Sequence, residues 1–390
     1  VAGPSIRSAQ LFALDIPFQL EISHASHTRS SCDSVIVRIE SSEGVVGYGE
    51  AVPRPYVTGE TAAGVMEYLH RHIEQAMLSA TLPTWDGDQE ATLAAVEALL
   101  PSSTAVAPGV IAHNASRAAL EVALLDCVMR SAGLSMAELL PGCRASVTYS
   151  GMLPTVSNKR ALKLAELQVE YGISRLKVKV GDPGDVERLR FLREHLGPDF
   201  VLYVDANCAW TPAQAVERIG RLAEFNIALV EQPLPRGPVE ELARLRERCS
   251  VPIMVDESLV TLEDARQLVD AGACDLFNIR ISKCGGLSNC LKLARTAEKA
   301  GLAYQLGAHI GETSVLSAAG RHLALSLPEV RFVEGSSGGF LLREDLSLES
   351  LQFEPGGKGR PLSGPGLGID VSEEKLTALA IEHRLLGDAP

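Results

Sequence analysis

The sequence predicts an α/β protein in which a (β/α) barrel follows a smaller α+β domain. Short apolar, β-branched runs in the middle of the chain each end in a single polar residue. These are Lys179 in RLKVKVG, Asp205 in VLYVDAN, Glu231 in IALVEQP, Asp256 in PIMVDES and Lys283 in FNIRISK, at intervals of 26, 26, 25 and 27 residues. Runs of this type read as strands buried on both faces. The segments between them are amphipathic, and a strand plus helix of roughly 25 residues is one βα unit of a barrel. Near residue 135 the texture changes: strands and then helices precede it, and strict alternation follows.

Totals set the outer limits. A chain of 390 residues exceeds one ordinary core, and the expected division is 1–135 for the first domain, 136–345 for the barrel and 346–390 for a C-terminal segment returning to the first domain. With 46% hydrophobic residues and no apolar run of bilayer length, the composition is that of a globular protein without a membrane partner. The opening VAGPSIRSAQ lacks the charged and apolar parts of a signal peptide. A formal charge of −13 and the absence of long basic patches argue against a nucleic-acid partner. Eight cysteines without a CxxC pair point to reduced thiols and a cytoplasmic protein.

Residues 1 to 60 read as strands, with CDSVIVRIESSEG and VVGYGEAV forming a hairpin through Glu43-Gly44. From Thr61 to Gly133 the periodicity is helical, and the last helix, NASRAALEVALLDCVMRSAG, starts with Asn114 as its expected N-cap. ASVTYSGML (145–153) is the expected first barrel strand. The second to sixth strands end in the five polar residues above. AYQLGAHIGE and RFVEGSSGG are the seventh and eighth. Thr211-Pro212 and Thr261, with Gln214 and Asp264 three residues after each threonine, mark helix starts. FEPGGKGRPLSGPGLG is a Gly/Pro-rich tail over the surface, and EEKLTALAIEHRLL a closing helix.

In a barrel the C-terminal ends of the strands share one face, so the five polar residues converge in one mouth. A lone Asp after a strand commonly caps the next helix. Three carboxylates on successive strand ends instead suggest hard oxygen ligands for an octahedral divalent cation, with no His or Cys at those places to favour zinc. Lys177 and Lys179, two apart on one strand, point the same way. Mutual repulsion near a cation is expected to lower their pKa toward general-base work. Lys283, four units around an eight-unit ring, faces Lys179. Two lysines astride a metal-bound carboxylate suit abstraction and return of its α-proton through an enediolate.

KVK, VDAN, VEQP, VDES and ISKCGG at these spacings resemble the enolase superfamily and, within it, the muconate-lactonizing enzyme subgroup. The resemblance covers nearly the whole chain. It implies a modified (β/α) TIM-type barrel with an N-terminal α+β capping domain. It further implies Mg²⁺ (or Mn²⁺) on Asp205, Glu231 and Asp256, Lys179 and Lys283 as the acid/base pair, and Lys177 near the substrate carboxylate. A small-molecule carboxylate substrate and a homo-oligomer are implied as well. The mandelate racemase subgroup, by contrast, uses a seventh-strand His with an Asp on the sixth. Lys283 fills the sixth-strand place here, which makes His309 a wall or core residue.

The family's dipeptide epimerases carry Asp-x-Asp on the eighth strand. Here Glu334-Gly335-Ser336 stands instead, as in the cycloisomerases, and points away from dipeptides. The expected reaction is cycloisomerase-like, with epimerisation, racemisation or dehydration of an amino-acid derivative as the alternative and a non-catalytic binding protein as the remote one. Substrate selection is expected in the cap. Arg29 in the loop 23–31, beside the exposed His24 and His27, and Arg54 and Tyr56 in the loop 51–61 are candidates for a second carboxylate or a ring. Glu312 in HIGETS and Glu334 complete the expected binding set.

Overall fold

The computed structural model describes residues 3–23, 28–101 and 109–387. The first part of the chain forms β1 (Ile6–Leu14), β2 (Ile16–Ser23), β3 (Thr28–Cys32), β4 (Val35–Ser41) and β5 (Val46–Ala51). The helices that follow are α1 (Ala62–His72), continued by a π-helical turn at Ile73–Met77, then α2 (Gln89–Glu97), α3 (Asn114–Ser131) and α4 (Met136–Leu139). Strands β4 and β5 form the expected hairpin, with Gly44 at φ +79° in its turn. Helix α3 is buried on nearly every side and lies across β5. The approach is close because β5 presents Gly47 and Gly49: a Cβ on Gly49 would stand 1.9 Å from the carbonyl oxygen of Ala119.

The barrel strands are β7 (Gly151–Leu153), β8 (Arg175–Lys179), β9 (Val201–Asp205), β10 (Val230–Glu231), β11 (Ile253–Val255), β12 (Leu276–Ile279), β13 (Ala303–Leu306) and β14 (Val330–Val333), introduced by the short β6 (Val147–Thr148). They pair in parallel in sequence order. Val333 bridges back to Tyr149, and Ser150 N–H donates to the Val333 carbonyl at 2.8 Å, which closes the ring. Between the strands lie α5 (Asn158–Glu170), α6 (Asp185–Leu196), α7 (Pro212–Ala223), α8 (Val239–Arg248), α9 (Leu262–Asp270), α10 (Ile281–Cys284), α11 (Leu287–Lys299) and α12 (Ser314–Ser326). Thr211 with Gln214 and Thr261 with Asp264 form reciprocal capping boxes. The barrel interior is filled by Tyr203, Leu229, Met254, Leu276 and Phe332, a packed core rather than a pore.

The chain then runs through α13 (Gly338–Leu341), β15 (Lys358–Gly359), α14 (Glu373–Leu379) and β16 (Ala380–Gly387). Strand β16 pairs antiparallel with β1 as the edge of the sheet β16-β1-β4-β5.

Several sequence expectations need correction. The stretch 145–153 is two strands, because β6 leaves the barrel to pair with β15. The closing helix ends at Leu379, and its apolar remainder finds a strand partner in β1, a contact that helical periodicity could not reveal. The loop 23–31 is in part strand: Arg29 belongs to β3, paired with β2. His24 and His27 lie outside the described residues. No helix among the described residues is long and apolar enough to cross a membrane.

Candidate active site

Asp205 and Glu231 are the last residues of β9 and β10, and Asp256 directly follows β11. Register pairs Glu231 with Asp205 and with Met254, so the three carboxylates form a row across adjacent strand ends. All three are buried. Each is turned onto cationic side chains. Lys179 Nζ lies 2.6 Å from Asp205 Oδ2, and Lys283 Nζ 2.8 Å from Asp256 Oδ1. Lys177 stands 3.4 Å from Asp205 and 3.3 Å from Glu231, and reaches Glu334 at 2.6 Å. Arg280 joins Glu231 at 3.2 Å to Asp256 at 2.5 Å.

The electrostatics correct one expectation. Burial by itself lowers the Lys177 pKa, but the carboxylates of Glu231, Glu334 and Asp205 more than reverse that and raise it well above the ordinary lysine value. The shift runs opposite to the expected one because the nearest neighbours of Lys177 are anions rather than Lys179. Burial, and then the Asp205 charge, push Glu231 up to about 8.

Lys283 is not on the strand end itself. It sits in α10, the helical turn after β12, and its Nζ also donates to the carbonyls of Asp256 (2.6 Å) and Asn278 (2.8 Å). Its backbone is gripped from the first domain. Asn114 is the first helical residue of α3, with His113 as N-cap, and its amide donates to the carbonyls of Lys283 (2.7 Å) and Val260 (2.8 Å). The expected capping role of Asn114 gives way to this cross-domain bond.

Among the described residues no three of His, Cys, Asp and Glu are gathered around one point so as to hold an ion as the side chains now stand. The donor set nevertheless suits a hard divalent cation: three buried carboxylates in one row, with Glu231 opposed by its own neighbour Asp205, leave a repulsion that positive charge relieves. Lys177, Lys179, Arg280 and Lys283 supply that charge in this arrangement.

A cavity of about 840 Å³ opens over the mouth. Lys177, Lys179, Glu334, Arg29, Arg54 and Tyr56 line it, whereas Lys283 does not. Arg54 is buried and spends its donors on Asp33 (3.0 Å) and on the carbonyls of Pro53 (2.7 Å) and Ile310 (2.5 Å), tying the first domain to the loop after β13. Arg29 forms an ion pair with the same Asp33. Glu334 is held by Lys177 and by the Tyr203 hydroxyl at 3.2 Å. Glu312 lies outside the lining of this cavity. Its carboxylate accepts from the His309 backbone N–H at 2.6 Å and faces a separate pocket of about 10 Å³.

Arg280, three residues before Lys283 on the strand-to-helix step, is a member of the site that no sequence motif above singles out. Neither Asn207, which accepts from Lys179 at 2.7 Å, nor Asn278, whose amide donates to Glu231 at 2.6 Å, is singled out there. Asn207 was visible in VDAN. Asn278 lies inside an apolar run and carried no signal.

A closed (β/α) barrel with a row of acids and lysines at its C-terminal mouth, roofed by an α+β domain, defines a class of barrel enzymes. Residues 160–375 match the family described as enolase C-terminal domain-like, and residues 7–141 match the mandelate racemase / muconate lactonizing enzyme N-terminal domain. The chain belongs to the mandelate racemase/muconate lactonizing enzyme family of the enolase superfamily.

Its relatives include a hydrophobic dipeptide epimerase of Enterococcus faecalis, 34% identical over 82% of this chain and 86% of the relative. The structure of a dipeptide epimerase from that species, complexed with Mg and L-Leu-L-Tyr, superposes with a TM-score of 0.82 over 94% of this chain and 99% of its own. An N-succinyl-L-Arg/Lys racemase of Bacillus cereus is 28% identical over 96% of this chain and 98% of its own, and the structure of the racemase so named superposes with a TM-score of 0.88. Muconate cycloisomerase 1 of Rhodococcus opacus is 30% identical over 94% of this chain and 96% of its own.

Proposed function

We propose that the protein is a divalent-metal-dependent isomerase that removes the α-proton of a carboxylate substrate and returns one on the opposite face, racemising or epimerising an N-acylated amino acid. The observation that carries this reading is the placement of Lys179 and Lys283 at the two outer ends of the carboxylate row, on Asp205 and Asp256. Inversion at carbon needs a base on one face and an acid on the other, a requirement that two lysines set apart in this way meet.

Asp205, Glu231 and Asp256 would hold Mg²⁺ or Mn²⁺. The bound cation would supply the positive charge that acidifies the α-carbon of the substrate carboxylate. Lys177, kept protonated by its acidic neighbours, contributes fixed charge beside the same carboxylate. One of Lys179 and Lys283 takes the α-proton as a free amine, and the other delivers a proton as ammonium. The first domain shields the enediolate from water, with Tyr56 and the Arg54 strut over the mouth. The cavity exceeds what a bare carboxylate needs, and Met152, Leu164, Tyr171, Phe340 and Phe353 on its wall suit a sizeable apolar substituent.

Likeness to a racemase and an epimerase supports this reading. A second reading, cycloisomerisation of an unsaturated diacid, draws on Glu334 standing where an Asp-x-Asp pair marks dipeptide epimerases. The test is proton NMR in D₂O with Mg²⁺ over a panel of N-acylated amino acids, dipeptides and diene diacids, beside Lys179→Ala and Lys283→Ala. Metal-dependent loss of α-proton signal with loss of optical activity is expected. Lactone formation from a diacid without exchange of any amino-acid derivative would overturn the primary reading in favour of the second.

A further inference from the structure

His309 lies in the loop after β13, 6% exposed, on the wall of the large cavity. Neither ring nitrogen has a hydrogen-bond partner among the described residues. A buried polar group left so costs about 1–3 kcal/mol, and structures seldom keep one without reason. Burial and the surrounding cations Arg280, Arg54, Lys283 and Arg29 hold its pKa well below the ordinary histidine value, so the ring is a neutral imidazole with one N–H and one bare lone pair.

The cations around it are engaged elsewhere, Arg280 with Glu231 and Asp256, Arg54 with Asp33 and two carbonyls, Lys283 with Asp256 and two carbonyls, and Arg29 with Asp33, while Arg280 Nε keeps a donor without a partner among the described residues. This wall is rich in donors, enough for any oxygen of a substrate, and poor in acceptors. The other orphaned polar atoms that can accept on the cavity are Glu257 Oε2, next in sequence to Asp256, and the Ser150 and Thr155 hydroxyls, each of which also carries a proton of its own to place. Glu334 and Asn207 are already held by Lys177 and Lys179. The bare nitrogen of His309 is thus an open acceptor set among cations, and it has no proton to place.

We propose that His309 is a specificity-determining residue that accepts a hydrogen bond from the amide N–H of an N-acylated amino-acid substrate. This rests on the substrate class proposed above and deepens it. A site with a buried acceptor rejects an analogue that cannot donate, because the acceptor is then left unpaired. The loop carrying the ring is held on both sides, by Arg54 on the Ile310 carbonyl and by Glu312 on the His309 N–H, so the imidazole is presented by a fixed backbone.

The experiment compares α-proton exchange of an N-acetyl amino acid with that of its O-acetyl hydroxy-acid counterpart, in which oxygen replaces N–H. Both are measured with the wild type, His309→Leu and His309→Asn, loaded with Mg²⁺. The wild type is expected to favour the amide in kcat/KM by about tenfold to a hundredfold, the size of effect that one unpaired buried acceptor produces. His309→Leu should lose most of that preference by slowing the amide alone, and His309→Asn, whose side chain can still accept, should recover part of it. Equal slowing of both substrates, or an unchanged preference in His309→Leu, would overturn the proposal while leaving the proposed function standing. Absence of exchange for every N-acylated substrate with the wild type would overturn both.

Discussion

The ammonium of Lys283 lies 2.8 Å from Oδ1 of Asp256, so one carboxylate serves both as an end of the acidic row and as the tether of a lysine. On the proposed function, a cation on Asp256 would compete for the oxygen that holds Lys283, which would couple metal occupancy to the freedom of that lysine. Magnesium is expected to raise the melting temperature, in line with about 2.7 kcal/mol at a hundred times its Kd, and chelation should stop exchange. Lys283→Ala should keep magnesium binding by calorimetry yet lose about 10²–10⁴-fold in exchange rate. Asp256→Asn should lose both. A Lys283→Ala protein that neither binds metal nor folds would contradict this division of roles.

Asn114 offers a test of control from the first domain. Its amide fixes the Lys283 and Val260 carbonyls. Asn114→Asp removes the donor while keeping the shape. The expected outcome is a stability loss of about 1–3 kcal/mol in denaturant titration and a fall in kcat with KM little changed. If KM rises and kcat stays constant, Asn114 does not position the lysine.

Glu50 on β5 is fully buried and caps α12 across the domain boundary. It accepts from the N–H groups of Thr313 (3.0 Å) and Leu316 (3.0 Å) and from the Thr313 hydroxyl (2.7 Å). Burial raises its pKa from 4.5 to about 7, with those donors pulling the other way. A carboxyl whose folded pKa exceeds its unfolded one contributes stability that is complete below the unfolded value and lost as pH rises through the folded value. Its contribution should therefore decline between about pH 4.5 and pH 7. The stability difference between wild type and Glu50→Gln, measured by denaturation across that range, should move in favour of the variant as pH rises. A difference that is flat with pH would count against the raised value.

The crossing of α3 over β5 depends on missing side chains. Gly49→Ala places a methyl 1.9 Å from the Ala119 carbonyl, a backbone atom that cannot swing aside. A loss of at least about 1–3 kcal/mol in chemical denaturation is expected. An unchanged melting temperature would show that α3 shifts freely.

Much of this architecture was legible in the linear order. The barrel showed itself because its strands are buried on both faces and its units repeat, so Asp205, Glu231 and Asp256 could be assigned to adjacent strand ends before any coordinates. Helix starts at Thr211 and Thr261 are local hydrogen-bond chemistry and were equally readable. Where the reading failed, a distant partner had overridden local pattern. The run after Leu379 is a strand because β1 offers an unpaired edge, and Asn114 leaves its expected cap for the Lys283 carbonyl.

By itself, then, the sequence determined the fold class, the row of acids and the pair of lysines, because periodicity and spacing are properties of neighbours along the chain. Only the tertiary structure decided the acidic surroundings of Lys177, the place of Glu312 outside the large cavity, the insertion of Arg280 between Glu231 and Asp256, and the open nitrogens of His309. Those depend on which groups from distant segments meet in a space that excludes water, where a few ångströms settle whether a charge is paired, repelled or left for a ligand.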